Sequence, residues 1–440
     1  MRAQSRISAL DLGMALAAMA GALLLIFAAA QAEAQTFQVL HNFTGGQDGG
    51  EPAAGLTMDA AGSLYGTTYI GGYTAGNCYG SCGTVFRLKR AGQSWVLNSL
   101  YLFRGGNDGA NPGSRVVFGP DHSLYGMTWT GGGESCPTGN IHGCGTVYNL
   151  RPSPTACATV LCPWRETVLY RFAGGPYDGA TPSDKPVFDS AGNMYGTTYE
   201  GGTANDYVCF GTHYTCGTVF EMSPSNGGWT EGLIYKLTGE ADGSNPDAHV
   251  TFDANGNLYG TTSANGYPNI GGTVFELTPS GAGWSENTLF DFSYIVGDSP
   301  RNGLIFDAAG NLYGATPFNG PHYGGVVFEL QASSGGWTFA PLYNFSGNDQ
   351  TVGPNGDLLM DSAGNLYGTV GSLGTYNKGL VFELSPTMYG WSLTVLHEFT
   401  GQDDGAFPTG GVVLDAQGNL YGTAESGGSY NQGVVWEITP

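Results

Sequence analysis

The chain has 440 residues and a formal net charge of −22, and glycine alone accounts for 75 positions. A surface this acidic disfavours nucleic acid and anionic lipid as partners; it suits a soluble extracellular protein or one with cationic ligands. Glycine-rich chains without a collagen period are often disordered, but here aromatic and aliphatic residues alternate with the glycines in register, which points to tight turns between strands.

Residues 1–34 read as a secretory signal. Arg2 and Arg6 precede an apolar run over residues 14–30, and Ala32-Glu33-Ala34 supplies small residues for cleavage after Ala34. The run is also long enough to serve as an N-terminal membrane anchor. Cleavage is preferred because the repeat pattern begins at once, with no linker between. Its loss leaves the charge unchanged, since Arg2 and Arg6 cancel Asp11 and Glu33.

From residue 35 onward one phrase recurs, Asn/Ser-Leu-Tyr-Gly-Thr-Thr in its commonest forms, with tyrosines at Tyr65, Tyr125, Tyr195, Tyr259, Tyr313, Tyr367 and Tyr421. A fixed long period signals a propeller, solenoid or array. Each unit holds four strand-like pieces rich in β-branched and aromatic residues and bounded by Gly, Asn, Asp and Pro. Residues 246–292 show them well, with an Asp253-Ala-Asn-Gly256 hairpin turn between the first two. Seven such units predict an all-β fold, a seven-bladed β-propeller with four-stranded blades, as a single domain over residues 35–440. Residues 35–43 align with a fourth strand, whereas residues 433–438 are a third strand. The N-terminal strand therefore completes the last blade and closes the ring, removing two sheet edges. An open solenoid would need polar capping units, and none is visible.

The eight cysteines form close sequential pairs, Cys78/Cys82, Cys136/Cys144, Cys157/Cys162 and Cys209/Cys216. Behind a secretory signal an even count argues for disulfides, with zinc at the Cys78/Cys82 spacing as the alternative. From the repeat Tyr to the Gly opening the third strand the chain runs 18, 20 and 22 residues in blades one to three, but 13, 12, 12 and 12 afterwards. Three cysteine pairs thus staple three enlarged loops, at residues 70–82, 129–144 and 200–216. Loops enlarged on one face of a repeat protein mark a binding side.

The unit Gly-Asn-Leu-Tyr-Gly-Thr-Thr, then Gly-Gly-Thr-Val-Phe-Glu-Leu-Thr-Pro, then Trp and a Leu-Phe/Tyr-x-Phe strand stands in full at residues 256–292. This pattern resembles the Gloeobacter/Verrucomicrobia tandem repeat, over nearly all of residues 36–440. The resemblance implies an exported bacterial protein of unassigned biochemical role. Family members often carry a C-terminal sorting anchor, whereas this chain stops at Pro440, so release into the periplasm or medium is expected.

Candidate site residues fall into three groups. The repeat tyrosines are expected to pack between blades, each hydroxyl satisfying a backbone group, with a ring of phenols stacking on sugars as the alternative; the fourth-strand tryptophans read as packing residues. The segments joining blades repeat Asp-Gly at Asp48, Asp108, Asp178, Asp242 and Asp404, with looser equivalents at Asp298 and Asp349. No cofactor is expected, although around a channel mouth such carboxylates would suit calcium; the plainer reading is an Asp bonding its own turn. The enlarged loops present Tyr73, Tyr79, Trp129, Tyr207, Phe210 and Tyr214 as stacking surface. Histidines at metal-ligand spacing, a nucleophile elbow and a phosphate-binding loop are all lacking. The leading expectation is a secreted, monomeric, non-enzymatic binder of a glycan or protein through the loop face. The alternatives are an extracellular carbohydrate-active or lactone-hydrolysing enzyme at the channel mouth, which requires perturbed acidic groups near the axis, and a structural matrix component.

Overall fold

The computed structural model describes residues 35–440 except 75–77, 79, 134, 138–141, 153–163, 203–208, 210–214, 265–270, 282 and 349–350. The secretory leader lies outside the described residues. So do Cys157 and Cys162, the fourth of the expected disulfide pairs. The rest folds as a seven-bladed β-propeller of four-stranded antiparallel sheets. No helix of the described residues is long and apolar enough to cross a membrane.

Blade four shows how the repeat phrase builds a sheet. Its strands Thr251–Phe252, Leu258–Thr262, Thr273–Ser280 and Gly283–Asp291 pair in sequence order from the axis outward. Between the first two, Asp253 accepts the N–H groups of Asn255 and Asn257 at 2.8 and 2.9 Å, and Gly256 closes the turn at φ 87°. The phrase itself is the second strand and is buried along its length. A Cβ on Gly260 would lie 2.5 Å from the Phe275 ring, so glycine is required for the third-strand aromatic to pack flat on the second strand.

The repeat tyrosine spans the gap between neighbouring blades. Tyr259 meets Phe306 and Trp337 of blade five at centroid distances of 5.1 and 6.0 Å. Tyr421 of blade seven meets Trp95 of blade one at 6.0 Å, so the contact runs through the closure. The hydroxyl, expected to satisfy a backbone group, goes instead to carboxylates: that of Tyr259 donates to Glu276 at 2.7 Å and lies 3.5 Å from Asp253. The reason is that Glu276 lies directly opposite Tyr259 in the strand pairing, and Asp253 opens the turn that leads into its strand. The ring closes as expected. Thr36–Asn42 pairs antiparallel with Val434–Thr439 as the outer strand of blade seven.

The phrase also carries a threonine that reaches across blades. The hydroxyls of Thr67, Thr197, Thr261, Thr369 and Thr423 donate to the carbonyls of Ser114, Ala248, Asn302, Gly410 and Ala54 at 2.8–3.3 Å. Each acceptor stands two residues after the proline that leads into the next blade. The most regular part of the sequence thereby fixes the position of the least regular part, the segment facing the axis.

Removing only the hydroxyl in Tyr259→Phe is expected to cost about 1 kcal/mol, and emptying the interblade contact in Tyr259→Ala about 3 to 5 kcal/mol. Equilibrium urea denaturation measures both. Equal losses would show that packing between blades is not the main contribution of this side chain.

Candidate functional site

Every blade carries a proline followed by three variable residues, before the inner strand in six blades and within it in blade three: Pro52, Pro112, Pro182, Pro246, Pro300, Pro354 and Pro408. In six blades the residue before the proline holds a positive φ, as at Glu51 (53°) and Asn111 (54°), turning the chain towards the axis. At the third position after proline the blades carry Gly55, Arg115, Lys185, His249, Gly303, Asp357 and Gly411 in order. The glycines make room for the larger side chains. A Cβ on Gly303 would overlap the His249 imidazole, one on Gly55 would overlap the Arg115 guanidinium, and one on Gly411 would lie 2.6 Å from Arg115 Nη2.

The charged side chains converge on Asp357. Its Oδ2 accepts from Lys185 Nζ at 2.5 Å and lies 3.8 Å from Arg115 Nη2. Its Oδ1 accepts the Gly303 N–H at 2.9 Å and lies 3.7 Å from His249 Nδ1. His249 Nδ1 is also 2.5 Å from Asp184 Oδ2. One carboxylate of blade six is thus engaged by residues of blades two, three, four and five. Burial opposes its charge, but Lys185, His249 and Arg115 hold the Asp357 carboxyl well below the usual carboxylate range. Asp184 is held low as well: burial and the Asp357 charge push it up, and Lys185 and His249 outweigh them.

Above this cluster the channel opens into a cavity of about 280 Å³ lined by Arg115, Trp129, Asp184, Asp247, Arg301, Asn355, Asp357 and Glu425, with glycine and alanine backbone between them. Arg301 Nε stands 3.8 Å from Asp247 Oδ2. Burial, with the Asp184 charge adding to it against Arg301, pushes the Asp247 carboxyl up to about 6. Burial raises Glu425 too, with Glu51 beside it. Asp184, His249 and Asp357 place one ligand atom each within 4.8 Å of one another, a spacing that could hold a cation. The Lys185 ammonium already sits on Asp357 and competes directly for that position.

Of the residues singled out from sequence, Trp129 lines the cavity and is 37% exposed, its indole 6.0 Å from the Tyr69 ring. Tyr73 is exposed on the same face, with the Arg104 guanidinium 5.3 Å from its ring, and does not line the cavity. Tyr79, Tyr207, Phe210 and Tyr214 lie outside the described residues, as does Asp349. The Asp-Gly carboxylates are turned into their own loops. Asp48, Asp108, Asp178, Asp242 and Asp404 each accept a backbone N–H four or five residues back, at 2.6–3.0 Å, and each meets an outer-strand His or Tyr at 2.5–3.2 Å. None of the five lines the cavity.

Disulfides join Cys78 to Cys82, Cys136 to Cys144 and Cys209 to Cys216, which fits an extracellular or periplasmic location. The expected fourth bridge, from Cys157 to Cys162, is not among these disulfides, because both cysteines fall within residues 153–163, outside the described residues.

The axial cluster was not singled out from sequence. Its signal was present nonetheless: between each proline and the following strand, residues change type from blade to blade while the flanks repeat.

Replacing Asp357 by Asn leaves Lys185 and Arg115 uncompensated and is expected to cost about 3 kcal/mol or more. An unfolded aspartate titrates near about 3.9. Because the folded Asp357 pKa lies lower, its stabilisation is complete above about pH 4 and is lost as pH falls further. Urea midpoints measured from neutral to acid pH should therefore fall less steeply for Asp357→Asn than for the wild type. Parallel curves would contradict the assignment.

The Gloeobacter/Verrucomicrobia repeat profile matches residues 25–210, 136–358 and 297–440. No curated protein matches the sequence. Among solved structures the chain is similar to PorZ, an essential bacterial surface component of the type-IX secretion system of Porphyromonas gingivalis. Identity is 12% and the TM-score 0.50, over 87% of this chain and 46% of that one, so this chain spans less than half the length of PorZ. It is also similar to a putative gluconolactonase (12% identity, TM-score 0.38, 74% of this chain and 87% of that one). A third is a putative oxidoreductase (glucose dehydrogenase) from Thermus thermophilus (15% identity, TM-score 0.43, 74% and 96%). At such identities the likeness concerns architecture, and chemistry has to be argued from the site. With its repeat unit matched from residue 25 to the last, the chain belongs to the Gloeobacter/Verrucomicrobia repeat family.

Proposed function

We propose that this protein is exported and binds a saccharide at the mouth of its central channel, on the face that carries the enlarged, disulfide-stapled loops. The observation that carries the reading is the position of Trp129. It is an aromatic ring on one of those loops, partly exposed, at the edge of a cavity whose other walls are carboxylates, guanidinium groups and an amide. Sugars present apolar C–H faces and rims of hydroxyls, so a site needs one ring for stacking and several convergent polar groups for orientation. Arg301, Asp247 and Asn355 supply the polar groups from three adjacent blades. The axial ion pairs hold these walls rigid, which lowers the ordering cost of binding.

A second reading is favoured by one observation. Asp247, raised to about 6, and Asp357, held ionised, face the same cavity, and carboxyls pushed apart in this way suit acid and base roles in glycoside or lactone hydrolysis. Asp247→Asn separates the two: loss of turnover with binding retained would favour hydrolysis, and absence of turnover in the wild type would leave binding alone.

Calorimetric titration of the purified protein with a panel of neutral and acidic oligosaccharides tests the proposal. Trp129→Ala should weaken binding about tenfold or more, equivalent to about 1.4 kcal/mol. Unchanged affinity in that variant, or no binding across the panel, would refute it.

A further inference from the structure

Among the described residues, eight large aromatic side chains are exposed, and they are distributed unevenly. Tyr389 alone lies in a hairpin between third and fourth strands. The other seven lie on the opposite face. Tyr73, Trp129, Tyr323, Tyr376 and Tyr430 sit where the second strand connects to the third in blades one, two, five, six and seven, and Tyr177 and Tyr294 sit where an outer strand passes into the next blade. In an antiparallel four-stranded blade these two connections leave the same edge of the sheet. The loop face therefore carries exposed rings around most of its circumference, with the cavity at the centre.

We propose that this face is a platform for an extended, neutral polysaccharide chain, of which the channel mouth is one subsite among several. The inference rests on the saccharide reading above and names its substrate class. Three features favour such an occupant. The rings are spread over the connections of several blades around the face, whereas a docking site for a protein or a lipid surface presents one contiguous apolar patch. Six of the seven are tyrosines, which combine a stacking face with a hydroxyl that bonds to a polar partner. Two are paired with cations: Arg104 lies 5.3 Å from the Tyr73 centroid, and Lys236 lies 5.4 Å from that of Tyr177, a ring still 85% exposed. Ordered rings lose less freedom on binding a ligand. A net charge of −22 repels polyanions at long range and selects for an uncharged chain.

A length series of neutral gluco-, manno- and galacto-oligosaccharides, from disaccharide to octasaccharide, tests this with the full-length folded protein. For the class that binds, affinity should rise about tenfold or more along the series, as contacts beyond the channel mouth are added. The double variant Tyr294→Ala, Tyr323→Ala removes two exposed rings that do not line the cavity. It should abolish that gain while leaving disaccharide affinity unchanged. Equal affinity along the series, or an undiminished gain in the double variant, would overturn the platform and leave the channel-mouth reading standing. Failure of every saccharide to bind, at any length, would overturn both.

Discussion

Seven sheets converge on one axis, and the space there is too small for seven side chains. This constraint shapes the centre of the molecule. At the position nearest the axis the chain places glycine in blades one, five and seven, and each of these glycines lies where a Cβ would collide with a guanidinium or imidazole group of another blade. The remaining four positions hold Arg115, Lys185, His249 and Asp357. Charges confined in this way must be compensated locally, because isolated burial of any one would be prohibitive. Asp357 meets that requirement by accepting from or facing four other blades.

The site follows from the same geometry. A propeller delivers one short segment per blade to the mouth of its channel, so residues far apart in sequence line a single cavity. Repetition supplies the frame: interblade tyrosines pack the blades together, and threonines anchor the axial segments of blades one, two, four, five and seven. Variation supplies the chemistry, since the segments themselves are held mainly through backbone carbonyls. The two faces differ because the short turns between first and second strands are built on a repeated Asp, whereas the opposite connections vary in length and carry the disulfides and most of the exposed rings.

The architecture was legible because its determinants repeat. Tyr, Gly and Thr at constant spacing, and a spare outer strand at the N-terminus, were enough to infer seven blades and their closure. The partner of the tyrosine hydroxyl was not legible, because the carboxylates of Asp253 and Glu276 reach it through strand pairing and a turn. Nor was the axial cluster. Lys185 meets Asp357 across 172 residues of sequence and His249 meets Asp184 across 65, and no local pattern announces either contact. The Asp-Gly motif drew attention by recurring, and its carboxylates are occupied by their own loops. In this chain recurrence marks structure, and the departures from it at the axis mark the candidate site.

A ligand is expected to sit in the polar cavity at the channel mouth. A crystal structure of the protein with a bound oligosaccharide tests it most directly. A sugar ring should be found stacked on Trp129, with hydroxyls hydrogen-bonded to Arg301, Asp247 or Asn355. A sugar bound on the outer strands or on the opposite face, with water filling the cavity, would contradict it.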